Sequence, residues 1–182
     1  MKMTKKNKIL IGVIIFGILI FKPVKKQIKK MVTETDKKKF IDQVKPYLEG
    51  ISRQIGVPYE FLLAQTALET GWGKSELFSK YFNPGGIKAA PGQAFITYPT
   101  YEYIKGKKVK INANFARYPN LLDGLIAHSK ILTNAYFKQY SNKTNDPVKY
   151  AAMLNSGAVK YATDINYTQK IKGIVDEFKQ LT

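Results

Sequence analysis

The sequence predicts an α+β fold, mainly helical with one small β element. Three observations carry this. Apolar residues recur at helical spacing over 37–55 and again toward the C-terminus. Between 95 and 117 the period drops to two. A glycine- and proline-rich run, 83–93, separates the two patterns.

Taken in order, Phe40, Val44, Leu48, Ile51 and Ile55 form one face of an amphipathic helix over 37–55. Pro46 sits inside it and should kink or shorten it. Gly56 ends it. Pro58 suits the first turn of a second helix reaching Thr70, with Gly71 as its stop. A short helix is expected over 75–81, then loop through Asn83-Pro84-Gly85-Gly86 and Pro91-Gly92. Tyr101 and Tyr103 alternate with Thr100, Glu102 and Ile104. Val109, Ile111, Ala113 and Phe115 alternate with Lys110, Asn112 and Asn114. With Lys105-Gly106 between them, 95–104 and 107–117 read as a β-hairpin. Helix returns after Asn120, which forms a capping pair with Asp123. Leu121, Leu122, Leu125, Ile126, Ser129 and Leu132 would fill its buried face. A shorter helix starts at Pro147. The last, capped by Asp164, carries Ile171, Ile174, Val175 and Phe178.

Composition narrows the chemistry. Of 182 residues, 45% are hydrophobic, enough for one domain with its own core. Cysteine is absent and histidine occurs once. That excludes disulfide scaffolds, thiol nucleophiles and Cys/His metal sites. His128, among Ile126 and Leu132, reads as a packed or surface side chain with no role. Catalysis would then fall to carboxylates, with no metal and no cofactor implied, and only 13 acidic residues are present.

The net charge is +17, unevenly spread. Residues 1–40 hold 12 lysines against Glu34 and Asp36, and the remainder stands at +7. A domain so charged suits a polyanionic surrounding such as nucleic acid, anionic lipid or an anionic cell wall. Arg53 and Arg117 are the only arginines. Base readers favour arginine, so lysine bias argues against sequence-specific nucleic-acid binding. Residues 9–21 are an unbroken apolar or glycine run between Lys8 and Lys22. A basic start followed by a short apolar core is the build of an export signal. No small-residue cleavage site follows, and flanking lysines can snorkel, so an uncleaved signal-anchor is favoured over a cleaved signal. The chain divides into an anchor and basic linker, 1–35, and a domain, 36–182.

Glu69 is the first candidate for chemistry. Phe61, Leu62, Gln65 and Glu69 fall on one helical stripe, so Glu69 is a carboxylate at the edge of a buried face. Trp72 adds apolar surface beside it. Burial and the negative end of the helix dipole both favour the protonated carboxyl, which is what a general acid requires.

The stretch Ala64-Gln65-Thr66-Ala67-Leu68-Glu69-Thr70-Gly71-Trp72-Gly73-Lys74-Ser75 resembles the catalytic-helix motif of the glucosaminidase family of peptidoglycan hydrolases. Further elements agree in order: Asn83 through Gly86-Ile87-Lys88-Ala89; Thr100-Tyr101-Glu102-Tyr103 with Gly106; Phe115-Ala116-Arg117-Tyr118 with Asp123; and Tyr161-Ala162-Thr163-Asp164 with Tyr167. The likeness spans about 38–180. It departs where the family has Asn-Leu-Phe-Gly-Ile-Lys and this chain has Asn83-Pro84-Gly85-Gly86-Ile87-Lys88, which removes a leucine and an aromatic from one cleft wall.

The resemblance implies a lysozyme-like fold, with a helical lobe, a small β-hairpin lobe and a cleft between them. It implies cleavage of the β-1,4 bond after N-acetylglucosamine in peptidoglycan glycan strands. By position Glu69 is the general acid and Glu102 the second carboxylate. Glu102 would either activate water in an inverting reaction or give way to the substrate's acetamido group as nucleophile. Trp72, Tyr101, Tyr103, Tyr161 and Tyr167 are candidates for covering sugar faces, Tyr161 and Tyr167 first, with Tyr118 behind them. A lytic transglycosylase or muramidase acting on the same polymer, and an inactive membrane-tethered wall-binding module, are the competing readings.

Overall fold

The computed structural model describes the backbone of residues 33–104 and 107–182, and the side chains of 33–101 and 109–182. The apolar run at 9–21 lies outside the described residues. Among those described, no helix is long and apolar enough to cross a membrane.

Helix α1 spans Glu34–Ile55. It starts three residues ahead of the expected point because of a capping box. Thr33 Oγ1 accepts from the Asp36 amide at 3.1 Å, and Asp36 Oδ2 accepts from the Thr33 amide at 3.2 Å. Lys74 reaches Asp36 at 3.2 Å. The Thr33 amide and then Lys74 hold the Asp36 carboxyl below its usual range. Pro46 does not shorten α1, contrary to expectation. It lies with Lys45 and Tyr47 on the exposed side, where the carbonyl that the proline ring leaves without a donor is open to water. The buried stripe of Phe40, Ile41, Val44, Leu48 and Ile51 continues past it. Gly56, at φ 66°, closes the helix in the left-handed region.

Helix α2, Tyr59–Thr70, is the central element. Phe61 to Ala67 are all buried, and α1 and the helices at Pro147–Leu154 and Tyr167–Leu181 pack around it. A helix apolar on every side belongs in a core. Helix α3, Glu76–Tyr81, follows, N-capped by Ser75. Strands β1, Phe95–Ile104, and β2, Lys107–Ala116, pair antiparallel, from Phe95 opposite Ala116 to Ile104 opposite Lys107.

Helix α4, Leu121–Ser129, is capped by Asn120, whose side chain accepts from the Asp123 amide at 2.9 Å. Its buried face differs from the expected one. Leu122 is 39% exposed, and Gly124 takes the inward place because its backbone lies against the Phe82 carbonyl. Two short 3-10 segments, Lys130–Thr133 and Phe137–Tyr140, lead to α5, Pro147–Leu154, and α6, Tyr167–Leu181. Asp164 is not the cap of α6. It stands three residues before the helix, accepting from the Asn166 amide at 3.0 Å and pairing with Lys170.

The helices enclose one core, in which Phe61 meets Tyr150 edge-on at 4.8 Å and Phe137 meets Tyr161 at 5.4 Å. The hairpin is outside this core and is joined to it through the chain between α3 and β1. Asn83, fully buried, is the joint. Its Nδ2 donates to the carbonyls of Ile87 and Ala116, and its Oδ1 accepts from the Ile87 amide, all at 2.8 Å. The loop then runs beside β2, with the Ala116 amide donating to Ile87 O at 2.8 Å and the Ala89 amide to Asn114 O at 2.9 Å.

Candidate active site

Glu69 occupies the last turn of α2 and is half-buried. The chain leaves the helix through Gly71, Trp72 and Gly73, with φ of 59°, 58° and 79°. Three left-handed residues in a row explain the two glycines. Trp72 has no such freedom, and an ordinary side chain there costs on the order of 1 kcal/mol. Packing holds it in place. Its ring meets Phe40 of α1 at 5.9 Å and 77°, and Lys37 Nζ lies 5.1 Å from the ring centre. The Gly73 amide donates to Thr70 Oγ1 at 2.9 Å. The helix end that carries Glu69 is thus fixed to α1, and the Trp72 ring is engaged on that side.

From the other end of the chain come Tyr161 and Tyr167. They are 3% and 1% exposed, so the ring faces that the sequence offered to a sugar are enclosed by protein. Burial first, and then the charge of Glu69, pushes the Tyr161 hydroxyl well above its ordinary range. Burial, Tyr161 and Glu69, in that order, do the same to Tyr167. Burial likewise raises Tyr150 of α5. These hydroxyls stay protonated at any working pH, so the two on which the Glu69 charge acts, Tyr161 and Tyr167, are neutral groups. Gln65, one turn before Glu69, donates through Nε2 to the Tyr161 hydroxyl.

On the hairpin, Tyr101 pairs with Lys110 and is 39% exposed. Glu102 and Tyr103 stand opposite Val109 and Lys108 in the register, and their side chains lie outside the described residues. Tyr118 is half-buried beside Gln93. The sequence reading missed the parts played by Gln65 and Asn83. Gln65 had one visible signal, a polar residue on the apolar stripe of α2.

His128 shows how the altered loop is filled. It is 5% exposed, and a Cβ built on Gly85 would lie 2.4 Å from its Nδ1. The imidazole occupies the space a side chain at position 85 would need. Burial holds its pKa down to about 4, against an ordinary 6.5. As pH falls, the unfolded chain therefore takes up this proton before the folded one. The contribution is fully present above pH 6.5 and is lost progressively between 6.5 and 4. Its size is roughly 3 kcal/mol. Urea midpoints at pH 7.5 and 4.5 should fall further for the wild type than for His128→Gln, and equal falls would refute this.

Residues 45–180, from mid-α1 to the last turn of α6, match the glucosaminidase family model, described as mannosyl-glycoprotein endo-beta-N-acetylglucosaminidase. The chain is 28% identical over 193 residues to exo-glucosaminidase LytG of Bacillus subtilis, covering 97% of this chain and 67% of that protein. It is 30% identical over 154 residues to peptidoglycan hydrolase FlgJ of Salmonella typhimurium, covering 81% and 48%. The chain thus spans two thirds of the first relative and about half of the second. In structure it resembles the catalytic domain of the autolysin Auto from Listeria monocytogenes, with a TM-score of 0.71 and 28% identity over 83% of this chain and 90% of that one. A glycoside hydrolase domain of Salmonella typhimurium FlgJ gives 0.67 and 28% over 80% and 99%.

Proposed function

The chain belongs to the glucosaminidase family, and from that premise we propose that it is a peptidoglycan hydrolase cleaving the β-1,4 bond after N-acetylglucosamine in cell-wall glycan strands. One observation carries the reading of the site. Glu69 is a half-buried carboxyl at the end of the central helix, and its charge acts on the buried hydroxyls of Tyr161 and Tyr167. A carboxyl in largely apolar surroundings can hold a proton and deliver it to the leaving glycosidic oxygen. Glu102, carried on the hairpin, is the second carboxylate. It either activates water or leaves the attack to the substrate's acetamido oxygen. Tyr101, Tyr103 and Trp72 supply the apolar surfaces for pyranose rings, while Tyr161 and Tyr167 are enclosed by protein where the charge of Glu69 reaches their hydroxyls.

The bond is tested by digesting peptidoglycan with the full chain, reducing the products and weighing the fragments. Reduced N-acetylglucosamine ends are expected. Reduced muramic ends would mean a muramidase, and anhydro-muramic ends a lytic transglycosylase.

The lysine-flanked run at 9–21 supports a retained membrane anchor that holds the domain against the wall. The domain's surplus of basic residues would draw it to anionic wall polymers over about 8–10 Å. The membrane fraction should then contain protein with its N-terminus intact. A trimmed form free in the medium would instead mark a cleaved signal.

A further inference from the structure

Gln65 and Glu69 are one turn apart on α2 and project from the same side of the helix. Gln65 is 1% exposed. A primary amide is costly to bury unless hydrogen bonds satisfy it. Its Nε2 is satisfied by the Tyr161 hydroxyl, which the chain brings from 96 residues further on. Its Oε1 has no hydrogen-bond partner among the described residues, and neither has the hydroxyl of Tyr150 or Tyr167. The buried positions around it on α2 are Phe61, Leu62, Leu63, Ala64, Thr66 and Ala67. Thr66 satisfies its own hydroxyl on the Leu62 carbonyl at 2.7 Å, within the helix. Gln65 alone spends its polar group on a distant part of the chain, and packing does not call for it.

We propose that Gln65 is a positioning residue for the general acid: by donating to the Tyr161 oxygen, it turns the tyrosine's own proton toward Glu69. The inference rests on Glu69 being that acid. A hydroxyl that accepts through its oxygen keeps its single hydrogen for another acceptor. The titratable groups that act on Tyr161 are Glu69 from α2 and Tyr150 from α5. Tyr167 of α6 lies ring to ring at 5.7 Å. Among these Glu69 alone is a carboxylate, the strongest acceptor within the cluster. Donation to it orients the carboxyl and favours its ionised form. Gln65 thereby influences the pH at which Glu69 keeps its proton, without touching substrate.

The test compares full-length wild type, Gln65→Met, Tyr161→Phe, the double variant and Glu69→Gln on glycan fragments. Methionine keeps the length of the side chain and removes the donor. Gln65→Met should lower kcat roughly 10- to 100-fold with KM unchanged. The alkaline limb of its pH profile should move up, because an ionised Glu69 has lost a donor. The double variant should be no worse than Tyr161→Phe, since both changes remove one interaction. Additive losses with an unmoved limb would reduce Gln65 to packing and overturn the proposal. If Gln65→Met does not fold, Tyr161→Phe carries the test, and an unmoved limb there overturns it equally. An active Glu69→Gln would sink the catalytic reading itself. An inactive Glu69→Gln beside a wild-type-like Gln65→Met sinks this inference alone.

Discussion

Glu69→Gln keeps the fold and loses on the order of 100- to 10,000-fold in turnover on peptidoglycan. Glutamine has the size and planarity of the protonated carboxyl, so the half-buried site closes over it unchanged. What disappears is the acidic proton and, with it, the route by which the leaving oxygen is neutralised. Thermal melting should match the wild type while fragment release stops. Wild-type rates in a folded variant would remove Glu69 from the mechanism. Glu102→Gln then separates the two ways of completing the reaction. If Glu102 activates water, its loss is nearly as severe as that of Glu69. If the acetamido group attacks, the loss is milder.

Much of this site was legible because local chemistry dictates it. The apolar stripe of α1, the strict alternation of 109–115, the cap at Asn120 and the helix start at Pro147 each follow from a few adjacent residues. Glu69 was readable as a carboxylate on a buried stripe of α2. What stayed hidden depends on distant partners. An aromatic suits a core and a sugar cleft equally well, so only the packing of Phe137 on Tyr161, and of Tyr161 on Tyr167, puts those rings inside. Pro46 reads as a breaker until its exposed side is known. The segments at Lys130–Thr133 and Phe137–Tyr140 are too short to show a period. Asn83 looked like a turn residue before Pro84, while its partner Ala116 lies 33 residues away.

Asn83→Ala is expected to lower stability by about 2–5 kcal/mol, because it leaves the buried Ala116 carbonyl and the half-buried Ile87 amide without their partner. That is a large share of the roughly 5–15 kcal/mol that holds a domain together. The effect reaches function because Asn83 joins the loop to β2 and hence sets where the hairpin, with Tyr101 and Glu102, stands relative to the helical lobe. Turnover should fall up to about 100-fold even at temperatures where the variant is folded, since small misplacements of reacting groups are costly. Asn83→Asp distinguishes this joint from mere filling of space. Aspartate has the same shape and keeps an acceptor for the Ile87 amide. It offers no donor to the Ile87 and Ala116 carbonyls, and it buries a negative charge against both oxygens. It should therefore be less stable than the alanine variant at neutral pH and recover on acidification, when the carboxyl gains a proton to donate. Urea midpoints for the two variants across pH 4–8 decide the matter. If both stay within about 1 kcal/mol of the wild type, the hydrogen bonds of Asn83 do not hold the hairpin to the helices.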